Sequence, residues 1–126
     1  MIKQVFKVEH YWKVIVYYNI DYNLFYYIER DLIIANISNK TINNVYNNMV
    51  THKAKAVTIS NIKNHISIVL FNNHKSIYDY INSIVHEAEH IKQAMLECYN
   101  VKDIGEPPAY TIGYLAMKML MVLKHL

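Results

Sequence analysis

From Ile77 to Cys98 the apolar residues Ile77, Ile81, Ile84, Ala88, Ile91, Met95 and Cys98 recur at alternating steps of four and three. Only an α-helix gathers such a series on one face, so the segment commits the chain to one long helix with a core side and a polar side. Ser76 is the expected N-cap, Asp79 supplies an acidic first turn, and the stripe runs to about Asn100. Gly and Pro are almost confined to Gly105-Glu106-Pro107-Pro108, the one strong break in the chain. Pro107 or Pro108 suits the first turn of a further helix, which the apolar residues beyond it predict.

Upstream, Val14 to Ile20 is rich in β-branched and aromatic residues and reads as a strand. Leu24, Tyr27, Ile28 and Leu32 recur at helical spacing and predict a helix over Tyr22–Ala35, with a second short helix over Asn39–Val50. Ala56–Ile59 and Ile66–Phe71 read as strands joined by a polar turn over residues 60–64, a hairpin that Asn72-Asn73-His74-Lys75 ends. The 126 residues suffice for one domain spanning positions 1–126. The expected fold class is α+β: a small antiparallel sheet, one or two N-terminal helices, the long helix and an apolar C-terminal helix.

Apolar residues make up 53% of the chain and charged residues 18%, a globular composition. The net charge of +3 comes from scattered lysines with no basic run, so nucleic acid is not an expected partner. Lys and Glu punctuate the N-terminus too often for a signal peptide. Ala109–Leu126 is strongly apolar but short, and Lys118 interrupts it, so a buried helix is expected there and no membrane span. The single Cys98 excludes an internal disulfide, and a reducing, cytoplasmic location is the simpler expectation. Abundant Lys, Asn, Ile and Tyr with Arg30 as the only Arg suggest an AT-rich bacterial or phage genome.

The polar side of the long helix carries His86-Glu87-Ala88-Glu89-His90, an HExxH motif. At 100° per residue the two His lie about 40° apart, and imidazoles one turn apart can ligate a single metal ion, a spacing favoured for zinc. Glu87 lies further round the helix, where it is poorly placed as a ligand but able to accept a proton from a zinc-bound water. Asp79, Ser83, Gln93 and Glu97 share the polar side, as expected for a helix that lines a cleft.

An HExxH helix, a loop, and then Glu106 at the start of the next helix with Ala109-Tyr110 following resembles the gluzincin branch of the zincin metallopeptidases, and most of all its small bacterial and phage forms. The resemblance covers about Ile77 to Leu120. It implies zinc-dependent hydrolysis of a peptide bond, with His86, His90 and Glu106 as zinc ligands, Glu87 as general base and a peptide or protein as substrate. It also implies an edge strand before the helix that binds extended peptide by strand addition, a place that Ile66–Phe71 occupies in the sequence. Asp103 and His74 are the other acceptors for the third ligand position. Tyr110, four residues after Glu106, is a candidate to stabilise an oxyanion, with plain packing as the alternative. The rival reading is a non-catalytic zinc protein in which the same ligands staple an interaction module.

Overall fold

The computed structural model describes all residues, Met1–Leu126. Val14 and Val16 of the second strand turn their side chains to one face of a sheet, and Ile15 and Tyr17 to the other; all four are buried. A strand apolar on both faces needs a helical layer on each side, and the chain supplies both. Strands β1 (Ile2–Val8), β2 (Trp12–Tyr18), β3 (Ala56–Asn61) and β4 (Ile66–Phe71) form one sheet in the order β1-β2-β4-β3. The β1/β2 and β3/β4 hairpins are antiparallel, and they join through a parallel β2/β4 seam that pairs Ile15 with Ile68. The α+β class is as expected, but the sheet is mixed where an antiparallel one was expected, because β2 and β4 are joined by a crossover that returns the chain parallel.

Helices α1 (Phe25–Ile34) and α2 (Asn39–Val50) cover one face. Their Ile28, Leu32, Ile42 and Met49 pack on Ile15, Tyr17, Ile68 and Leu70. Helices α3 (Ile77–Tyr99) and α4 (Glu106–Leu120) cover the other, setting Tyr80, Ile84, Ala88, Ile91, Leu115 and Met119 against Trp12, Val16, Tyr18, Val69 and Phe71. The α3 stripe is the expected one from Ile84 to Met95. At the helix start Tyr80 is buried, while Ile77 and Ile81 are 56% and 36% exposed. The apolar C-terminal stretch lies on the sheet, where Gln4 Nε2 donates to Lys118 O at 2.8 Å and Tyr18 donates to Met119 O at 3.4 Å. No helix is long and apolar enough to cross a membrane.

Local chemistry explains the helix ends. Ser76 Oγ accepts from the Asp79 N–H at 3.2 Å. At the other end Asn100 takes a left-handed conformation, and the Val101 N–H reaches back to Leu96 O at 2.9 Å and the Asn100 N–H to Glu97 O at 3.3 Å, so two of the carbonyls in the last turn of α3 are satisfied. Ser38 caps α2 by accepting from the Thr41 N–H. Pro107 and Pro108 occupy the first turn of α4, where a missing N–H costs nothing.

The expected edge strand is corrected as well. Ile66–Phe71 is no edge strand: β4 lies between β2 and β3, pairs on both sides and is buried throughout, so no peptide can add to it. The edges are β1 and β3. Strand β1 itself has no counterpart among the expected elements. Its Lys3 and Lys7 break the apolar run, and its turn places Glu9 and His10 at positive φ without the Gly or Asn that marks such turns.

Three buried tyrosines bind this core to pH. Burial raises the hydroxyl pKa of Tyr17, Tyr18 and Tyr80, the last to about 12, where burial outweighs the opposing hydrogen bond from the Asn19 backbone. A folded-state pKa above the unfolded value of about 10 means stability complete below pH ~10 and lost as pH rises toward 12. Denaturation midpoints measured from pH 8 to 11.5 should hold level and then fall, and Tyr80→Phe should reduce the alkaline slope.

Candidate metal centre

Helix α3 presents its polar flank to solvent beside the edge strand β3. Along that flank His86 and His90 are both exposed, with ring planes at 84° and Nε2 atoms 3.2 Å apart. Two nitrogens at 2.0–2.1 Å from one tetrahedral zinc ion stand about 3.3 Å apart, so the pair is spaced as two zinc donors would be. Without a metal the same distance is a hydrogen bond, in which one ring carries Nε2–H and the other accepts. The donor set therefore fits two of four zinc positions.

Glu87 points from the same helix toward the sheet. It is 4% exposed, and its Oε1 accepts from Thr58 Oγ1 on β3 at 2.9 Å. No buried side-chain oxygen or nitrogen lacks a partner, so Oε2, which makes no second bond within the chain, meets solvent. The space it meets is a cavity of about 300 Å³ lined by Lys55, Ala56, Asn82, Ser83, His86 and Glu87. One histidine of the pair and the carboxylate thus line one recess, and the carboxylate is held by the chain at one oxygen only.

The third-ligand candidates lie elsewhere. Glu106 opens α4 and lines a separate groove of about 420 Å³ with Glu9, Leu96, Tyr99 and Tyr110. Leu96 and Tyr99 sit about 130° round α3 from the mean direction of the His pair, so Glu106 is on the opposite flank of the helix. Tyr110 shares the groove with Glu106, is 69% exposed, and is likewise remote from the pair. Asp103 is engaged by Lys92 Nζ at 2.9 Å, which also holds Glu89 at 2.7 Å. The Glu89 and Asp103 carboxylates keep the Lys92 ammonium above its usual range. His74 is tied to the Asn72 carbonyl and to Ser83. No three His, Cys, Asp or Glu side chains are grouped so that they could hold a metal ion: His86 pairs with His90, Glu87 shares a recess with His86 alone, and Glu106 and Tyr110 line a different groove.

The partner of Glu87 was not among the expected site residues. Thr58 sits in a strand whose polar and apolar residues alternate, but nothing in the sequence aligns that strand with the HExxH turn. The hydrogen bond has a measurable consequence. Thr58→Val leaves a largely buried carboxylate oxygen without its donor, and the denaturation midpoint should fall by the equivalent of about 1–3 kcal/mol. A Glu87→Gln chain should stay folded, because its amide oxygen still accepts from Thr58.

Comparison with protein families, curated proteins and solved structures finds no match to this chain.

Proposed function

We propose that the chain is a zinc-dependent peptidase in which His86 and His90 hold the metal and Glu87 is the general base. The observation that carries this reading is the 3.2 Å separation of the two Nε2 atoms on adjacent turns of one helix. Glu87 beside His86 in a shared cavity supports it further. Zinc held there would supply the electrophilic assistance that lets water attack a peptide carbonyl at neutral pH. The chain's own groups do the rest. Thr58 fixes one carboxylate oxygen of Glu87, and Oε2 can take a proton from water in the cavity and return it to the leaving amine. Substrate fits the outer edge of β3, whose unpaired backbone runs beside α3 and can extend the sheet by one peptide strand. The lone, half-buried Cys98 suits a reducing compartment.

A second reading has its own support. Burial of Glu87 against Thr58 is what a structural carboxylate would also show, and it favours a non-catalytic zinc-binding interaction protein.

Zinc titration of the full chain should give about one equivalent, and His86→Ala or His90→Ala should each weaken binding by ~100-fold or more. Glu106→Ala, on the far flank of α3, should change zinc affinity by no more than about threefold, less than an orienting neighbour of a ligand would. Glu87→Gln should retain zinc and lose at least ~100-fold of any peptide cleavage the parent performs. Undiminished cleavage by that variant would remove Glu87 as the base, and unchanged zinc binding by both His variants would overturn the metal site.

A further inference from the structure

The loop between β4 and α3 holds a hydrogen-bonded relay that the peptidase reading does not use. His74 Nδ1 lies 2.7 Å from the Asn72 carbonyl oxygen, and its Nε2 lies 2.7 Å from Ser83 Oγ. A carbonyl oxygen can only accept, so in the neutral ring Nδ1 carries the proton and Nε2 presents its lone pair. The Ser83 hydroxyl must then donate to Nε2. Nucleophile, base and a third group that orients the base stand in one line, with a backbone carbonyl as the orienting group.

The line is held firmly. Asn72 is 2% exposed and all its polar groups are engaged. Its N–H donates to Lys55 O, its Nδ2 donates to Met49 O and Ala54 O, and its Oδ1 accepts from the Tyr22 hydroxyl. The His74 ring lies against Tyr80, with centroids 4.2 Å apart, and edge-on to Phe71. Ser83 meanwhile borders the 300 Å³ cavity, together with the Lys55 and Asn82 side chains, which offer a cation and an amide to an oxygen gaining negative charge.

We propose that Ser83 is a nucleophile activated by His74, and that the cavity hydrolyses small acyl esters without a metal. In the first half, Ser83 Oγ forms a bond to the ester carbonyl carbon while His74 Nε2 takes the hydroxyl proton. The bond to the alcohol oxygen breaks, and that oxygen leaves with the proton from Nε2. In the second half, water adds to the acyl carbon and gives a proton to Nε2. The bond to Oγ then breaks, the acid departs, and the proton returns to Ser83.

The test uses the full chain stripped with a chelator, which separates this activity from the zinc reading. Incubation with diisopropyl fluorophosphate should give one adduct per chain that peptide mapping assigns to Ser83, and p-nitrophenyl acetate should be turned over by the parent with release of p-nitrophenol. Ser83→Ala should give none there, and His74→Gln should label at least ~100-fold more slowly. Because His74→Gln removes a packed ring, Ser83→Cys provides a second measurement in an otherwise native chain. Iodoacetamide should alkylate the introduced thiol, which faces Nε2, at least ~10-fold faster than Cys98. Absence of a Ser83 adduct in the parent, undiminished labelling of a folded His74→Gln chain, or an introduced thiol no faster than Cys98 would each overturn the proposal.

Discussion

The parallel β2/β4 seam is the constraint on which the rest depends. Each of these strands is buried on both faces, so burial can be completed only by helices on both sides of the sheet. A parallel pair also needs a long crossover, and α1, α2 and β3 lie within it. The same seam relegates β1 and β3 to the edges. Once α3 covers Val69 and Phe71 on β4, its neighbouring flank runs along β3, and that flank carries His86, Glu87 and His90. The position of the motif beside a free sheet edge is thus a consequence of which strands are buried.

Elements written in local chemistry were legible in the sequence. The Ser76 cap, the Ile84-Ala88-Ile91-Met95 stripe and the Gly105–Pro108 break each act within a few residues, and α2, β4 and α3 fall on or within a residue of their expected bounds. Pairing is not local. Nothing in Val14–Ile20 says that its partner is Ile66–Phe71 or that the two run parallel, because a strand apolar on both faces satisfies either direction. Strand β1 was illegible for the opposite reason. It is an edge, its outward residues are Lys3, Val5 and Lys7, and no left-handed turn residue announces its hairpin.

The candidate site divides along the same line. Two histidines one turn apart meet by helix geometry alone, so their pairing could be read directly. Glu106 is joined to them only through the crossing of α4 over α3, and that crossing depends on the intervening loop. Lys92 anchors this loop through Asp103 on the side of α3 away from the His pair. His74 shows the converse case. Its loop context suggests a solvated residue, yet the buried Asn72 beside it supplies an immobile carbonyl that orders the ring.

Glu87 is where fold and chemistry compete most directly. A carboxylate with 4% exposure is costly unless it is hydrogen-bonded, and one hydroxyl on an edge strand meets that need at Oε1 alone. Satisfying both oxygens from the protein would have stabilised the α3–β3 contact further, and it would have left no lone pair directed into the cavity. Apolar replacement would have been simpler still, since Ala88 and Ile84 show that this flank borders a dry core. The arrangement in place keeps the carboxylate ordered by Thr58 and open to solvent at its other oxygen, in one recess with His86, whose Nε2 lies 3.2 Å from that of His90. Structural burial alone requires the first of these features. It does not account for the other two.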